Sequence, residues 1–498
     1  MKTSELINNS SMLLDFYEMT MSNGYFLSGL KDQIVYFEMF FRKIPDKGGF
    51  AVTCGLEQVI EHIRSLYFSE DDIAYLASLN KFDDRFLEYL RDLKFTCDVW
   101  AIPEGTPIFP NEPLVIVRGP IIEAQLIETI VLLCINHQSL ISTKASRIVQ
   151  SANSGSDGQI RTVMEFGTRR AHGTASAVFG ARAAYISGCT GTACTLAGQL
   201  YDVPVLGTMA HSWVQLFENE YESFKAYASL YPASCSLLVD TYDVLKSGIP
   251  NAIKVFDEIL KPAGQRPLGI RIDSGDITYL SKKARKMLDA AGYPDCKIIA
   301  SNSLDEYIIR DMLLQGAKVD SFGVGERLIT SESEPVFGGV YKLMAIEDSN
   351  GNIIPKIKVS ENVSKITTPH FKKLYRLFNR EDNMAIADLI CVNDEVLDDA
   401  APYELFDPDH TWKRKTVDNF YAKELLVHIF DKGKLVYTTP HIDEIRNYAS
   451  LELSHIWDEV KRFENPHSYY VDLSQQLWDV KRKLLTENGV CNSLKNTL

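Results

Sequence analysis

From Thr162 onward, short apolar runs recur roughly every 20–30 residues with helical segments between them, the rhythm of consecutive β/α units. Seven runs follow this pattern: Val163–Phe166 into GTRR, Ala184–Ile186 into SGCTGT, Val203–Leu206 into GTMAHSW, then SLLVDTYD (236–243), LGIRIDSGD (268–276), KIIASNSLD (297–305) and VDSFGVGE (319–326). A continuous apolar run that breaks into glycine, hydroxyl or charged residues reads as a buried parallel strand delivering a loop. In a β/α barrel the chemistry sits at the C-terminal ends of such strands. The reading is therefore an α/β protein whose barrel strands recur from about Thr162, with strand tips that carry its function.

What lies at those tips narrows the chemistry. Small residues let backbone N–H groups approach an oxyanion closely. Two arginines, Arg169 and Arg170, and one histidine, His211, sit where strands end. Arg271 and Asp273 are two apart on one strand and point to one face. Ser301, Asn302 and Ser303, together with Gly323 and Gly325, occupy the late strand ends, where barrels commonly hold a sugar 5′-phosphate through backbone N–H groups. The combination points to a phosphorylated substrate.

At 498 residues the chain exceeds one ordinary core and should divide. Three regions are expected: an N-terminal α/β layer (1–120), the barrel (121–345), and a C-terminal extension (346–498) packing back on the N-terminal layer. Within them the pattern predicts helices over 10–30, 55–66, 71–93 and 122–151, strands at 34–42 and 109–117, and tail helices at 442–463 and 471–486. A net charge of −14 argues against a general nucleic-acid binder, which needs a basic face. Nine dispersed cysteines without a CxxC pair fit reduced thiols and a cytoplasmic location. No apolar run approaches the roughly 20 residues of a membrane span, and the N-terminus lacks the pattern of a signal peptide.

Eight stretches in order, DFYEMTMSNGYF, YFEMFFRK, GGFAVTCGLE, EFGTRRAHG, GTMAHSW, RIDSGD, SFGVGE and GGVYKLMA, resemble the nicotinate phosphoribosyltransferase family. The resemblance runs from about residue 12 to 345. It implies an incomplete β/α barrel with a smaller α/β domain from the N-terminal and part of the C-terminal region. It further implies a head-to-tail homodimer with a shared active site. The implied reaction joins nicotinate to phosphoribosyl pyrophosphate, with Mg²⁺ and ATP as cofactors.

Residue by residue, His211 resembles the histidine that the family phosphorylates from ATP, and Asp240 in LLVDTYD is the candidate partner holding one ring nitrogen so that the other faces the phosphoryl donor. Thr208, in the same GTMAHSW stretch, falls among the substrate contacts. The resemblance puts Phe166 under the pyridine, with Tyr17 of the partner subunit above it. Arg169 would hold phosphate or pyrophosphate by a planar fork. Arg271 can pair with the nicotinate carboxylate, and Asp273 can face the pyridine or the ribose. Arg42 and Lys43 are candidates for the partner's phosphates, and Lys144 and Arg147 weaker ones.

Three positions bear on the resemblance. Ala193 stands where the related nicotinamide enzyme has an aspartate, which would repel a carboxylate, so Ala193 favours nicotinate over nicotinamide. Glu326 stands where the family often has threonine, so phosphate binding there falls to the backbone alone. Only Cys391 and Cys491 lie in the tail, so no zinc is expected. Nicotinamide or quinolinate as the pyridine, and a sugar-phosphate barrel of another class, remain the alternatives. The last does not account for Phe166, Arg271 and His211 together.

Overall fold

The computed structural model describes residues 11–488. They fall into two compact units, one from residues up to 139 together with those from 336 onward, the other from 140 to 335.

In the first unit, Asp15 and Glu18 form a capping box that starts α1 (Phe16–Leu27). Strand β1 (Ile34–Phe41) is buried at every position but the first, as its aromatic and β-branched composition requires of a central strand. Helices α2 (Leu56–Arg64), α3 (Glu70–Ser78) and α4 (Asp84–Arg91) follow. The single helix expected over 71–93 is thus two. Asn80 adopts a left-handed backbone (φ 52°) and the Asp83 side chain caps α4, so the turn chemistry between them outweighs the helical pattern. The strand expected at 109–117 begins later, because Asn111 is also left-handed (φ 68°). Strands β2 (Asp98–Ala101) and β3 (Val115–Pro120) pair beyond it.

The short α5 (Ile121–Gln125) leads into α6 (Glu128–Ala152). The stretch 121–152 is long and apolar enough to cross a bilayer, yet 67% of its apolar window is buried inside the protein, so it serves as a core helix.

The second unit contains a five-stranded parallel sheet. In chain order its strands are β4 (Thr162–Glu165), β5 (Ser236–Leu238), β6 (Gly269–Ile272), β7 (Lys297–Ser301) and β8 (Ser321–Val324), and their order across the sheet is β4-β8-β7-β6-β5. Single parallel bridges extend it past β4, from Glu165 to Thr192 and from Thr192 to Val205. Among the described residues no ladder joins Val205 to β5, so the ring stays open there and the barrel is incomplete. Ala184–Ile186, expected as a strand, ends helix α7 (Thr174–Ile186). Five of that helix's thirteen residues are alanine, the strongest helix former, and the inter-strand bridge falls instead at Thr192 in the next loop.

After β8 the chain returns to the first unit. Strand β9 (Gly339–Glu347) lies antiparallel against β1, pairing Met39 with Tyr341 and Val35 with Ile346. A second sheet contains β10 (Lys372–Asn379), β11 (Ala385–Val392) and β12 (Val471–Leu473), with β12 parallel to β11. Phe50, Val52 and Phe109 from the N-terminal region share one core with Phe378, Ala385, Ile456 and Tyr469 from the tail. The two regions together make the larger unit. The last helices are shorter than expected: α8 (Ile442–Ser454) stops early, and the residues expected as helix over 471–486 begin as β12, with α9 (Gln475–Glu487) capped by Ser474.

Candidate active site

The tips of β4, β6, β7 and β8 converge on Arg271, the third residue of β6. Its Nε donates to Ser301 Oγ (2.8 Å), Nη1 to Thr208 Oγ1 (3.0 Å) and Nη2 to Asp273 Oδ1 (2.8 Å). The guanidinium also lies 5.6 Å from the Phe166 ring centroid, within cation–π range. Phe166 directly follows β4, and its N–H donates to the Val324 carbonyl (2.8 Å). Its ring presses on Gly323, where a Cβ would come within 2.5 Å of a ring carbon. Glycine is therefore required for close approach.

Asp273 accepts the Ser301 hydroxyl as well as Arg271. Burial pushes its carboxyl upward, but the Ser301 hydroxyl, Arg271 and His211 outweigh burial and hold it below its ordinary value. It is thus a carboxylate at neutral pH. Asp240, with a side chain 1% exposed, uses Oδ2 to accept the Asp273 N–H (3.0 Å) and the Ser274 hydroxyl (2.6 Å). Its Oδ1 is buried and has no hydrogen-bond partner among the described residues.

His211 sits beside this oxygen. Its Nε2 is 4.0 Å from Asp240 Oδ1 and 3.7 Å from Asp273 Oδ2, while Nδ1 shares a hydrogen bond with Thr241 Oγ1 (3.1 Å). The residue bonded to the ring is thus Thr241 and not Asp240, whose closer oxygen stands beyond hydrogen-bond distance. With its side chain 40% exposed, the imidazole remains open to an incoming group.

Arg169 lies exposed in the turn after Phe166 and has no ion-pair partner among the described residues. Arg170 reaches Glu326 (3.5 Å), which also accepts the Ser303 hydroxyl (2.7 Å). Asn302 and Ser303 both take left-handed backbone (φ 94° and 47°) just beyond β7. Consecutive non-glycine residues in that region store strain of the kind that clusters at functional loops. Gly325 lies under the Phe166 carbonyl, 3.2 Å from where its Cβ would be.

Tyr17 belongs to the other unit. It is 44% exposed on α1, and partial burial together with Glu128 pushes its phenol well above the usual range. Lys144 and Arg147 are not free phosphate ligands. Both are buried against Glu306, Lys144 Nζ at 2.9 Å and Arg147 Nε at 3.0 Å. Arg42 donates to the Ser364 carbonyl within the first unit.

Profiles of known families match three consecutive parts of the chain: the nicotinate phosphoribosyltransferase N-terminal domain over 12–136, the nicotinate phosphoribosyltransferase family over 161–378 and its C-terminal domain over 371–481. Nicotinate phosphoribosyltransferase of Bacillus subtilis is 45% identical over 479 residues, covering 96% of this chain and 95% of that protein. The chain belongs to the nicotinate phosphoribosyltransferase family.

Other members of the family agree over nearly the full length. The Mycobacterium tuberculosis nicotinate phosphoribosyltransferase pncB2 is 38% identical over 94% of this chain and 92% of its own. The crystal structure of human nicotinic acid phosphoribosyltransferase superposes with a TM-score of 0.81 at 29% identity, covering 95% of this chain and 99% of that one. Sequence reasoning brought Phe166, Thr208, His211, Asp240, Arg271, Asp273 and Ser301 to one place but overlooked three residues. Thr241 was hidden behind the more reactive Asp240. Glu165 and Thr192 form a buried contact, signalled only by a carboxylate inside an apolar strand.

Proposed function

We propose that the protein transfers the phosphoribosyl group of 5-phosphoribosyl 1-pyrophosphate to nicotinate, giving nicotinate mononucleotide and pyrophosphate in NAD salvage. The observation that carries the reading is the convergence on Arg271 of the Phe166 ring, Thr208, Asp273 and Ser301. A flat apolar face, a guanidinium and a carboxylate within one cluster suit a planar aromatic acid that meets a sugar developing positive charge.

The pyridine stacks on Phe166, which adds about 0.5–1.5 kcal/mol beyond burial. Arg271 pairs with the nicotinate carboxylate and exchanges some of its present contacts to do so. The pyridine nitrogen attacks C1 of the ribose as the C1–O bond to pyrophosphate breaks, and the leaving electron pair stays on pyrophosphate. That nitrogen carries no proton, so no general base is needed. Asp273 faces the cationic ribose, and the free fork of Arg169 receives the pyrophosphate. Positioning and charge stabilisation supply the rate.

Mg²⁺ fits the donors present. Asp240 Oδ1 is a buried oxygen without a hydrogen-bond partner among the described residues, Asp273 is an ionised carboxylate nearby, and hard oxygen ligands are what this cation takes. Bound there with the diphosphate, it would neutralise charge on the leaving group.

The coupling to ATP runs through phosphorylation of His211 on Nε2, the nitrogen not engaged by Thr241. Phosphohistidine adds about two negative charges beside Asp240 and Asp273 and retunes substrate affinity. A homodimer completes the site by bringing Tyr17 of the partner subunit over the pyridine. Supporting this, Phe16, Tyr17 and Met21 on α1 and Leu13 just before it are all exposed, between 38% and 48%, an apolar patch of the kind that marks an interaction surface.

The test is pyrophosphate release with phosphoribosyl pyrophosphate and, in turn, nicotinate, nicotinamide and quinolinate, with and without ATP. Nicotinate should be the preferred acceptor and ATP should stimulate its use. Preference for another pyridine would overturn the specificity, and absence of release with all three would overturn the reaction.

A further inference from the structure

Glu165 is the last residue of β4 and is fully buried. A carboxylate in such a place is costly unless it is well hydrogen-bonded. Its Oε1 accepts the Gly167 N–H, and its Oε2 accepts the Thr192 hydroxyl (2.5 Å). Thr192 Oγ1 in turn accepts the Cys194 N–H (2.9 Å). The main chain repeats the link: Glu165 N–H donates to the Gly191 carbonyl (2.9 Å), and Ala193 N–H donates to the Glu165 carbonyl (2.8 Å). One side chain therefore ties the turn carrying Phe166 and Arg169 to the loop carrying Thr192 and Ala193.

The turn has no slack. A Cβ on Gly167 would lie 2.5 Å from Ile329 Cβ and 2.7 Å from Glu165 Oε1, so Gly167 is wedged between them. The Phe166 peptide is held from the other side by Val324, and its ring rests on Gly323. A shift of the Gly167 amide must move Phe166, because the two share a peptide unit.

From this geometry we infer that Glu165, through Gly167 and Thr192, is a positioning residue for the pyridine platform. It sets where Phe166 stands relative to the loop of Ala193, and so governs nicotinate affinity without touching substrate. The inference rests on the reading of Phe166 as the pyridine's stacking partner. A role limited to holding β4 in the sheet would instead lower stability and affect both substrates alike.

The partners allow these roles to be separated. Glu165→Gln keeps an acceptor for Gly167 but turns an amide N–H toward Thr192, leaving the threonine hydroxyl proton without its acceptor. Thr192→Val removes the same bond from the other end. Thr192→Ser keeps the hydroxyl.

The experiment measures KM for each substrate, kcat and thermal midpoint for the wild type, Glu165→Gln, Thr192→Val, the double variant and Thr192→Ser. Each single variant should lose about 10- to 100-fold in kcat/KM for nicotinate, the range typical of a lost supporting contact. The KM for phosphoribosyl pyrophosphate should move far less. The double variant should be little worse than either single one, since both break one bond, and Thr192→Ser should recover affinity relative to Thr192→Val. Equal losses for both substrates, or losses that add in the double variant, overturn the inference. A wild type that uses nicotinate while the variants match it overturns the inference alone. A wild type that does not use nicotinate overturns the reading on which it rests.

Discussion

Replacing Gly323 by alanine tests the platform directly. The backbone at 323 lies outside the left-handed region, so alanine is tolerated conformationally and the effect is steric. Its Cβ would stand 2.5 and 2.6 Å from two ring carbons of Phe166 and 3.4 Å from Ser301 Cβ. Carbon atoms rest about 3.5–4.0 Å apart, so the ring must retreat by about 1 Å. A misplacement of about 1 Å in a positioning group lowers turnover by about 10²-fold. Overpacking of this kind lowers stability by about 1–3 kcal/mol. The assay is steady-state formation of nicotinate mononucleotide at varied nicotinate, well below the melting temperature found by calorimetry. The expected result is a fall in kcat/KM for nicotinate of about two orders of magnitude, with a lesser change in KM for phosphoribosyl pyrophosphate. Adding Phe166→Leu should restore stability and leave activity low. A Gly323→Ala protein with wild-type nicotinate turnover would refute the reasoning, because the platform could then move without consequence.

Three further outcomes follow from named contacts. His211→Ala should abolish ATP stimulation and keep ATP-independent transfer; unchanged stimulation in rate assays with and without ATP would remove His211 from the coupling. Lys144→Met takes one of two cations from buried Glu306, and because Arg147 still compensates the carboxylate the loss of stability should be that of a charged hydrogen bond, about 1.5–3 kcal/mol, measurable by denaturant unfolding, with KM values unchanged. Burial, with lesser help from the Glu128 and Asp15 charges, raises the Glu18 carboxyl to about 7 despite hydrogen bonds from Thr129 and the Asp15 N–H. Because the folded-state value is raised, the stability it contributes is full below the ordinary 4.5 and lost as pH rises through about 7. Glu18→Gln should therefore match the wild type near the lower value and gain on it in thermal midpoint above the higher one.

Much of this site could be read from the chain because buried parallel strands announce themselves. Each is an apolar run with no polar face, and the residue at its tip is the one that meets the ligand. Ala184–Ile186 failed that test because an alanine-rich run is apolar in a helix and a strand alike, and only the length of α7 settles the matter. Asn80 and Asn111 interrupt expected elements through backbone conformations that a hydrophobic pattern does not encode. Lys144 and Arg147 looked like phosphate ligands because their partner, Glu306, is far along the chain and brought near only by the fold. Glu165 was passed over for a related reason: a carboxylate in a strand looks like an exposed position until both of its hydrogen-bond donors are known.

The most direct measurement is a crystal structure of the protein with nicotinate bound. The account predicts the pyridine ring against Phe166, its carboxylate on Arg271 and its nitrogen turned toward the side of Asp273. A nicotinate ordered elsewhere on the protein, with Phe166 and Arg271 unchanged, would contradict it.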